Sequence, residues 1–406
     1  MSSQDTAVFT GIGVAAPNGL GTEAWWSATL AGESGIAAVT RFDASGYPAT
    51  LAGEVPDFRA EDHIPNRLIP QTDHMTRLAL TAAAEAIADA GVDPAELPEY
   101  AAGVVTAASA GGFEFGQREL EALWSKGGQH VSAYQSFAWF YAVNSGQISI
   151  RHGLRGPSGV LVSEQAGGLD AVAQARRQLR KGSSLMVTGG VDGAICPWGW
   201  AAQLTGGRIS TEDDPARAYL PFGADASGHV PGEGGAMLIL EDAEAATERG
   251  ARVYGRLAGY AATFDPGPGR KGDPGLRRAA EIALEQAGLT PSAVDVVFAD
   301  AAGVPELDRQ EADAITAIFG AGAVPVAVPK SMTGRLSAGG ASLDLAAALL
   351  SIRDGVLPPM AHAGPLAQGC ELDLVTTIRR QPVRTALVLA RGHGGFNAAA
   401  VVTAPE

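Results

Sequence analysis

The feature that most constrains the fold is an internal repeat that runs through the chain. The sequence AGVDP at 90–94 is followed by an apolar run at 102–107, and AGLTP at 287–291 is followed by a similar run at 294–299. Each copy has the pattern of a helix end, a glycine and proline turn, and a buried strand. A chain that repeats these segments in the same order is predicted to fold as two similar halves.

Later segments extend the repeat. Two further pairs of strand-like runs correspond, 184–191 with 385–391 and 234–239 with 394–399. Because these strands are rich in Ala and Val and alternate with helical segments, we predict the α/β class, with mostly parallel sheets buried on both faces. We predict that the halves are residues 1–255 and 256–406, with the join near 251–265.

A strand, a sharp turn and a helix are predicted around Gln165. The apolar run at 159–162 leads into SEQAGG at 163–168, and an amphipathic segment follows. The glycines permit a tight turn, and a helix N-terminus offers free N–H groups. Folds display a nucleophile at such an elbow, but an amide has no lone pair suited to attack on a thioester. We therefore expect a catalytic frame whose central, exposed residue cannot be the nucleophile.

Composition and charge exclude several classes of partner. The chain has 406 residues, of which 46% are hydrophobic and 18% charged, as in soluble globular proteins. Its net charge of −15, without a Lys/Arg-rich run, argues against nucleic acid or an anionic membrane as a partner. The N-terminus lacks a basic signal-peptide region and no apolar stretch reaches membrane-spanning length, so we expect a cytoplasmic protein.

Two patterns that often mark a site are interpreted as structural. GIGVAA at 11–16 fits a dinucleotide fingerprint, but PNGLG at 17–21 prolongs the loop where a helix would have to begin, so we expect a structural turn. Cys196 and Cys370 show no metal-ligand spacing with the seven histidines, so we expect two buried thiols and no metal site.

Three loops should meet at the elbow, because active sites in such folds lie at the C-terminal ends of strands. They read DAAGVP at 300–305, KSMTGR at 330–335 and RGHGGFN at 391–397. Together with the elbow and the repeat, these loops resemble the β-ketoacyl synthases of the thiolase fold over nearly the whole chain. The resemblance implies a five-layered αβαβα architecture.

In that family the elbow carries a cysteine that takes the acyl chain, and two histidines stabilise the enolate formed by malonyl decarboxylation. Carried over by position, Gln165 stands for the cysteine, Asp300 for the first histidine and Arg335 for the second. The resemblance thus implies a site without its catalytic triad.

The supporting frame of that family is retained. Lys330 is present, and Asp308 and Glu311 lie at the spacing where the family's lysine finds its carboxylate partner. A phenylalanine gates the glycine-rich turn in active members, and His393 stands in the corresponding place here.

A degenerate member with glutamine at the elbow is similar to the chain length factors, or β subunits, of type II aromatic polyketide synthases. Three blocks fit this subfamily, at 15–21, 219–222 and 230–235. The resemblance implies an obligate heterodimer with a homologous catalytic ketosynthase. That complex extends malonyl units on an acyl carrier protein into a poly-β-ketone, whose length this subunit helps to set. It implies no cofactor on this chain, because the carrier's phosphopantetheine arm holds the substrates.

Alternatives remain open at the degenerate site. Gln165 could polarise a malonyl thioester and make the chain a malonyl-carrier decarboxylase that supplies the acetyl starter, or it could simply fill a vacated site. The chain could also be a structural dimerisation partner without influence on the product. For Asp300 and Arg335 we expect a buried ion pair that seals the pocket, because a lone charge there would be costly; two unrelated surface residues are the alternative.

The helix predicted from 113 onward is where the subunit is expected to affect chain length. Phe113, Gly116 and Leu120 share one helical face, and the resemblance places them with Trp198 at the far end of the polyketide tunnel. Ordinary core packing is the alternative. Glycine in a helix costs about 1 kcal/mol against alanine, which indicates that room is wanted and favours a longer product. The run FAWFY at 137–141 is expected to pack across the dimer interface or in the core.

Overall fold

The computed structural model of the protein describes residues 7–109, 111–267 and 274–405. The strands are β1 (Ala7–Ala16), β2 (Gly19–Leu20), β3 (Ile36–Ala38), β4 (Leu51–Gly53), β5 (Ala102–Ala107), β6 (Ser158–Leu161), β7 (Leu185–Asp192), β8 (Gly234–Asp242), β9 (Gly255–Phe264), β10 (Val296–Phe298), β11 (Pro325–Ala327), β12 (Val356–Leu357), β13 (Asp373–Leu374), β14 (Arg379–Arg380), β15 (Thr385–Gly392) and β16 (Phe396–Thr403). The helices are α1 (Thr22–Ala31), α2 (Ala60–His63), α3 (His74–Asp89), α4 (Phe113–Lys126), α5 (Gln135–Ala138), α6 (Val143–His152), α7 (Gly167–Leu179), α8 (Pro197–Leu204), α9 (Ala243–Glu248), α10 (Gly275–Ala287), α11 (Pro305–Phe319) and α12 (Gly340–Asp354).

The strands form two equivalent half-sheets. One has the order β6-β5-β7-β8-β1, and the other has the order β11-β10-β15-β16-β9 with β13 added at its edge. In each half three strands run parallel, and the fourth in line, β8 or β16, runs antiparallel to its neighbours. The halves meet where β1 pairs with β9, at Val8 and Arg256. This confirms the predicted duplication, in which β9 is the counterpart of β1.

Helices complete the five layers that the resemblance implies. Helices α7 and α12 pack together between the half-sheets, while α3 and α10 cover their outer faces. The residues of α12 from Gly340 to Ser351 are all buried. A helix that is apolar on every side belongs in the centre of a large fold, so α12 forms the middle layer with α7. The predicted α/β architecture is confirmed.

The two glycines of the dinucleotide-like pattern lie inside β1, and the structural turn follows the strand at 17–18. A Cβ on Gly11 would stand 2.2 Å from the carbonyl oxygen of Ala86, and one on Gly13 would stand 2.0 Å from that of Ala82. Both oxygens belong to α3. The glycines are therefore needed for close packing of helix on strand, and no nucleotide-binding turn forms there.

Several smaller expectations also have an outcome. Cys196 and Cys370 are free and buried, and burial raises the pKa of the Cys196 thiol to about 11, which suits an inert packed side chain. Within the described residues, no helix combines the length and the apolar character needed to cross a bilayer.

At one end of the sheet, β6 pairs only with β5, so its outer edge carries no strand in the described chain.

Candidate functional site

The elbow forms as predicted, but its central side chain is not exposed. After β6 a 3₁₀ turn at Glu164–Ala166 leads directly into α7. Glu164 has φ of 50°, and Ser337, at the equivalent turn of the second half, has φ of 48°. Positive φ is strained for residues other than glycine, and such strain is typical of functional turns. The side chain of Gln165 is completely buried, which corrects the expectation that the elbow displays it.

The amide of Gln165 is enclosed by the middle helices. A Cβ on Gly340, the first residue of α12, would stand 2.6 Å from Oε1 of Gln165. Neither amide atom has a hydrogen-bond partner among the described residues, and Gln165 does not line the cavity described below. In this conformation the amide is fully buried and is not part of the cavity lining; the decarboxylase alternative stays a prediction.

Asp300 and Arg335 form the predicted ion pair. Nη1 of Arg335 lies 3.2 Å from Oδ2 of Asp300, and Nη2 lies 3.2 Å from Oδ1, so the pair is bidentate. Asp300 is completely buried and Arg335 is 9% exposed. The interpretation as unrelated surface residues is wrong.

Arg391, which the sequence analysis did not single out, completes this pair from the third loop. Its backbone N–H donates to Oδ1 of Asp300 at 2.9 Å, and its Nε lies 3.5 Å from Oδ2. Its carbonyl oxygen accepts from Nη2 of Arg335 at 3.1 Å. The available signal was its place at the end of a buried strand, where the third loop begins.

Lys330 binds a different carboxylate from the ones expected. Its Nζ lies 2.6 Å from Oδ2 of Asp344 on α12, and it also donates to the carbonyl oxygens of Ala299 and Asp300. The expectation of pairing with Asp308 or Glu311 is wrong. Sequence spacing could not show this, because Asp344 reaches Lys330 only through the packing of α12.

Asp308 and Glu311 instead hold the loop that carries Asp300. Glu311 accepts from the backbone N–H groups of Asp300 at 2.7 Å and Ala301 at 2.8 Å, and it lies 3.4 Å from Nη2 of Arg391. Asp308 accepts from the N–H groups of Gly303 at 2.9 Å and Phe222 at 2.8 Å. Both carboxylates are buried, so they fix the loop in a region that excludes water.

Electrostatics favour the ionised ion pair. Burial by itself would raise the pKa of Asp300, but the cations of Arg335, Arg391 and Lys330 outweigh burial and hold that pKa below its usual range. Burial would likewise lower the pKa of Arg335, and Asp300 reverses this, so the pKa of Arg335 rises. A permanently charged guanidinium and an acceptor-only carboxylate cannot donate and return a proton as a histidine does.

A cavity of about 470 Å³ lies over the ion pair. Its lining includes Glu164 of the elbow, Asp300, Arg335 and His393, and it extends to Phe113 at the start of α4. The exposed His393 lies at its rim, where its backbone N–H donates to Glu164 at 3.0 Å. The three loops and the elbow thus converge as predicted, and the cavity connects them with the helix assigned to chain length.

On α4 the predicted residues separate into a packed group and an exposed one. The rings of Phe113 and Trp198 lie 4.5 Å apart between centroids. A Cβ on Gly116 would stand 3.1 Å from the indole of Trp198 and 3.5 Å from that of Trp139. The expected empty room at Gly116 is therefore wrong within this chain, and the glycine gives no argument for a longer product. Leu120 lies farther along the helix and is 36% exposed.

The aromatic run at 137–141 forms surface rather than core. Trp139, Phe140 and Tyr141 are each 40–45% exposed, and nearby Tyr134 is 39% exposed. Large exposed aromatic groups in one short segment are typical of an interface centre. Plain core packing applies only to Ala138, which is buried.

Comparisons with known proteins agree along the whole chain. Residues 5–246 match the model of the Beta-ketoacyl synthase, N-terminal domain, and residues 254–364 match that of the Beta-ketoacyl synthase, C-terminal domain. The tetracenomycin polyketide synthase ketoacyl synthase beta subunit of Streptomyces glaucescens is 60% identical over 405 residues, with 99% of each chain covered. The actinorhodin polyketide putative beta-ketoacyl synthase 2 of Streptomyces coelicolor is 59% identical over 399 residues, with 98% of each covered.

Solved structures show the same similarity. The ishigamide ketosynthase/chain length factor superposes with a TM-score of 0.89 at 28% identity, covering 99% of this chain and 100% of that one. A type II PKS acyl-carrier protein in complex with its ketosynthase bound to the hexaketide, AntDE:AntF, gives a TM-score of 0.88 at 26% identity, with the same coverage.

Proposed function

The chain belongs to the β-ketoacyl synthase family, and from that membership we propose that it is the non-condensing chain length factor subunit of a type II polyketide synthase. In this function it pairs with a homologous catalytic ketosynthase. The pair extends malonyl units on an acyl carrier protein into a poly-β-ketone. This subunit supplies part of the tunnel wall that sets the product length, and its substrates remain on the carrier's phosphopantetheine arm.

The buried ion pair between Asp300 and Arg335 is the observation that carries the non-condensing part of the proposal. Both side chains are committed to one another, and the resemblance assigns their positions to the family's two histidines. Condensation needs a thiolate to take the acyl chain and neutral donors to stabilise the enolate. Gln165 supplies no thiolate, and Asp300 and Arg335 supply no neutral donor, so the partner ketosynthase provides the catalytic centre.

Two surface features support the heterodimer. The free edge of β6 presents unpaired backbone groups, which readily pair with a strand of another chain. The exposed aromatic group at Tyr134, Trp139, Phe140 and Tyr141 supplies apolar area that a partner can bury.

The test is reconstitution of the complex with its ketosynthase and malonyl-loaded carrier protein, followed by mass spectrometry of the products. Leu120→Trp adds bulk on the exposed part of the α4 face, and Gly116→Phe displaces the indoles of Trp198 and Trp139, which a Cβ at Gly116 already meets at 3.1 and 3.5 Å; both variants should shorten the product. Gly364→Phe is the matched control, because a Cβ at Gly364 meets no atom within 4 Å. Products of wild-type length from both α4 variants, or condensation by this chain alone, would refute the proposal.

A further inference from the structure

The residues assigned to the tunnel end lie on three separate segments, so contacts between these segments must fix their relative position. We call Phe113, Gly116, Trp139 and Trp198 the tunnel-end wall. Phe113 and Gly116 lie on α4, Trp198 on α8, and Trp139 between α5 and α6. We propose that Asp73 and Gln117, which make no part of the wall surface themselves, are positioning residues that fix its geometry and thereby the fidelity of chain length. This inference rests on the proposed function.

Gln117 joins α4 to α8. Its Oε1 accepts from the backbone N–H of Trp198 at 2.8 Å, and its Nε2 donates to Glu121 at 2.8 Å. The N–H of Trp198 lies in the first turn of α8, where no backbone partner exists within the helix. The Gln117 side chain therefore ties one turn of α4 to the residue that carries the indole facing Gly116.

Asp73 joins α4 to α3. One oxygen, Oδ1, accepts from the N–H of Met75 at 2.9 Å and so caps α3; the other, Oδ2, accepts from the N–H of Phe115 at 2.7 Å. The N-cap residue of α4 is Gly112, which has no side chain to cap its own helix. Asp73 is 3% exposed, so a single buried carboxylate satisfies the ends of both helices.

The glycine at 112 makes this double cap possible. A Cβ on Gly112 would stand 2.7 Å from Cβ of Asp73 and 2.4 Å from the carbonyl oxygen of Ala138. The N–H of Gly112 donates to the carbonyl oxygen of Trp139 at 3.1 Å, which ties the third segment to the same point. The three segments of the wall are thus connected at the first two turns of α4, by Asp73, Gln117 and one backbone bond.

Loss of these hydrogen bonds should change the distribution of product chain lengths more than the rate of product formation. The Phe113 and Trp198 rings pack at a tilt with their centroids 4.5 Å apart, and a shift of α4 against α8 changes the depth available to the growing chain. The hydrogen bonds of Asp73 and Gln117 go to Met75, Phe115, Glu121 and Trp198, and none of these residues belongs to the elbow or to the ion pair. Removing either tie should broaden the distribution of chain lengths while malonyl consumption continues.

The experiment uses the intact heterodimer with malonyl carrier protein. Gln117→Met keeps the side-chain length but removes the acceptor, and Asp73→Asn keeps the shape but leaves one N–H without an acceptor. Each should raise the ratio of off-length to main product by about fivefold, the factor expected from one lost hydrogen bond. Gln117→Glu combined with Glu121→Gln retains an acceptor for Trp198 and avoids two facing carboxylates, and this double variant should restore the wild-type distribution.

Asp93→Asn is the matched control, because Asp93 caps the 3₁₀ turn Pro94–Glu96 through the N–H of Ala95 and lies outside the wall. A wild-type distribution from Gln117→Met in an assembled heterodimer overturns the inference, as does a fall in total turnover without any change in distribution. If Asp73→Asn fails to assemble, Gln117→Met decides alone. If Gln117→Met gives the wild-type distribution and Gly116→Phe and Leu120→Trp also leave the product length unchanged, both the positioning role and the proposed function fail. If Gly116→Phe and Leu120→Trp shorten the product, only the positioning role of Asp73 and Gln117 fails.

Discussion

At the scale of single residues, the site is a network of buried ionisable groups of opposite sign. Lys330, Arg335 and Arg391 face Asp300, Glu311 and Asp344 in a largely buried region beside the cavity. Buried ions are tolerated only when each has a partner of opposite charge with good geometry. The ion pair of Asp300 and Arg335 is therefore stabilised by further partners of opposite charge around it.

Removing one member of the pair should destabilise the fold strongly. Arg335→Met leaves Asp300 buried beside weaker partners, and breaking a buried pair in this way costs about 3–5 kcal/mol. Replacing both, with Asp300→Leu and Arg335→Met, should cost clearly less because no unpaired charge remains. Chemical unfolding of the heterodimers measures the difference, and a double variant as unstable as the single one would contradict it.

The pH dependence of stability should contain a contribution from Asp308. Burial raises the pKa of this carboxyl to about 6, above its usual value of 3.8. A raised pKa means that the folded state holds the proton more tightly, so the contribution is complete below about pH 4 and is lost as the pH rises through about 6. The Asp308→Asn variant should lack this pH-dependent part of the stability. The substitution also lowers stability at every pH, because it weakens one of the two hydrogen bonds from the backbone N–H groups of Gly303 and Phe222. The free energy of unfolding is measured for variant and wild type at pH 4.5 and pH 6.5. Taking the difference between variant and wild type at each pH removes the pH dependence that comes from the partner subunit. Equal differences at the two pH values would refute the assignment to Asp308.

At the scale of elements, the segment between α5 and α6 should decide assembly. The aromatic side chains there are exposed in the isolated chain, and buried aromatic groups are the residues that most often dominate interfaces. Tyr141→Arg should weaken the heterodimer by about thirtyfold or more in Kd, corresponding to a hot spot of about 2 kcal/mol.

The control for this substitution is Ile378→Arg, since Ile378 is 43% exposed but lies between β13 and β14 on the other half. Sedimentation or titration calorimetry gives both affinities. An unchanged Kd for Tyr141→Arg, or an equal loss for Ile378→Arg, would remove this segment from the interface.

At the scale of the whole molecule, stability should depend on the partner. A subunit with a free strand edge and an exposed aromatic surface is stabilised by mass action when a partner covers them. The Tm of this chain should rise with the concentration of its ketosynthase, by an increment that Tyr141→Arg reduces. Differential scanning calorimetry at several concentrations of the ketosynthase measures this increase. A Tm that does not change with the ketosynthase concentration would contradict an obligate pair.

The sequence by itself determined the architecture and the location of the site. The repeat predicted two halves, the periodicities predicted the strands and helices, and the spacing of three loops predicted their convergence on the elbow, because these depend on local order along the chain. It also predicted the ion pair of Asp300 and Arg335, because opposite charges at facing positions in a buried site must compensate one another.

Only the tertiary structure decided which groups meet. Lys330 binds Asp344 because α12 packs through the centre of the molecule, and Gly116 is filled because Trp198 arrives from another helix. Gln165 is enclosed rather than displayed for the same reason, since Gly340 of the second half closes over it. Each outcome depends on distances between segments far apart in sequence, and these distances are set by the packing of layers, which no local pattern encodes.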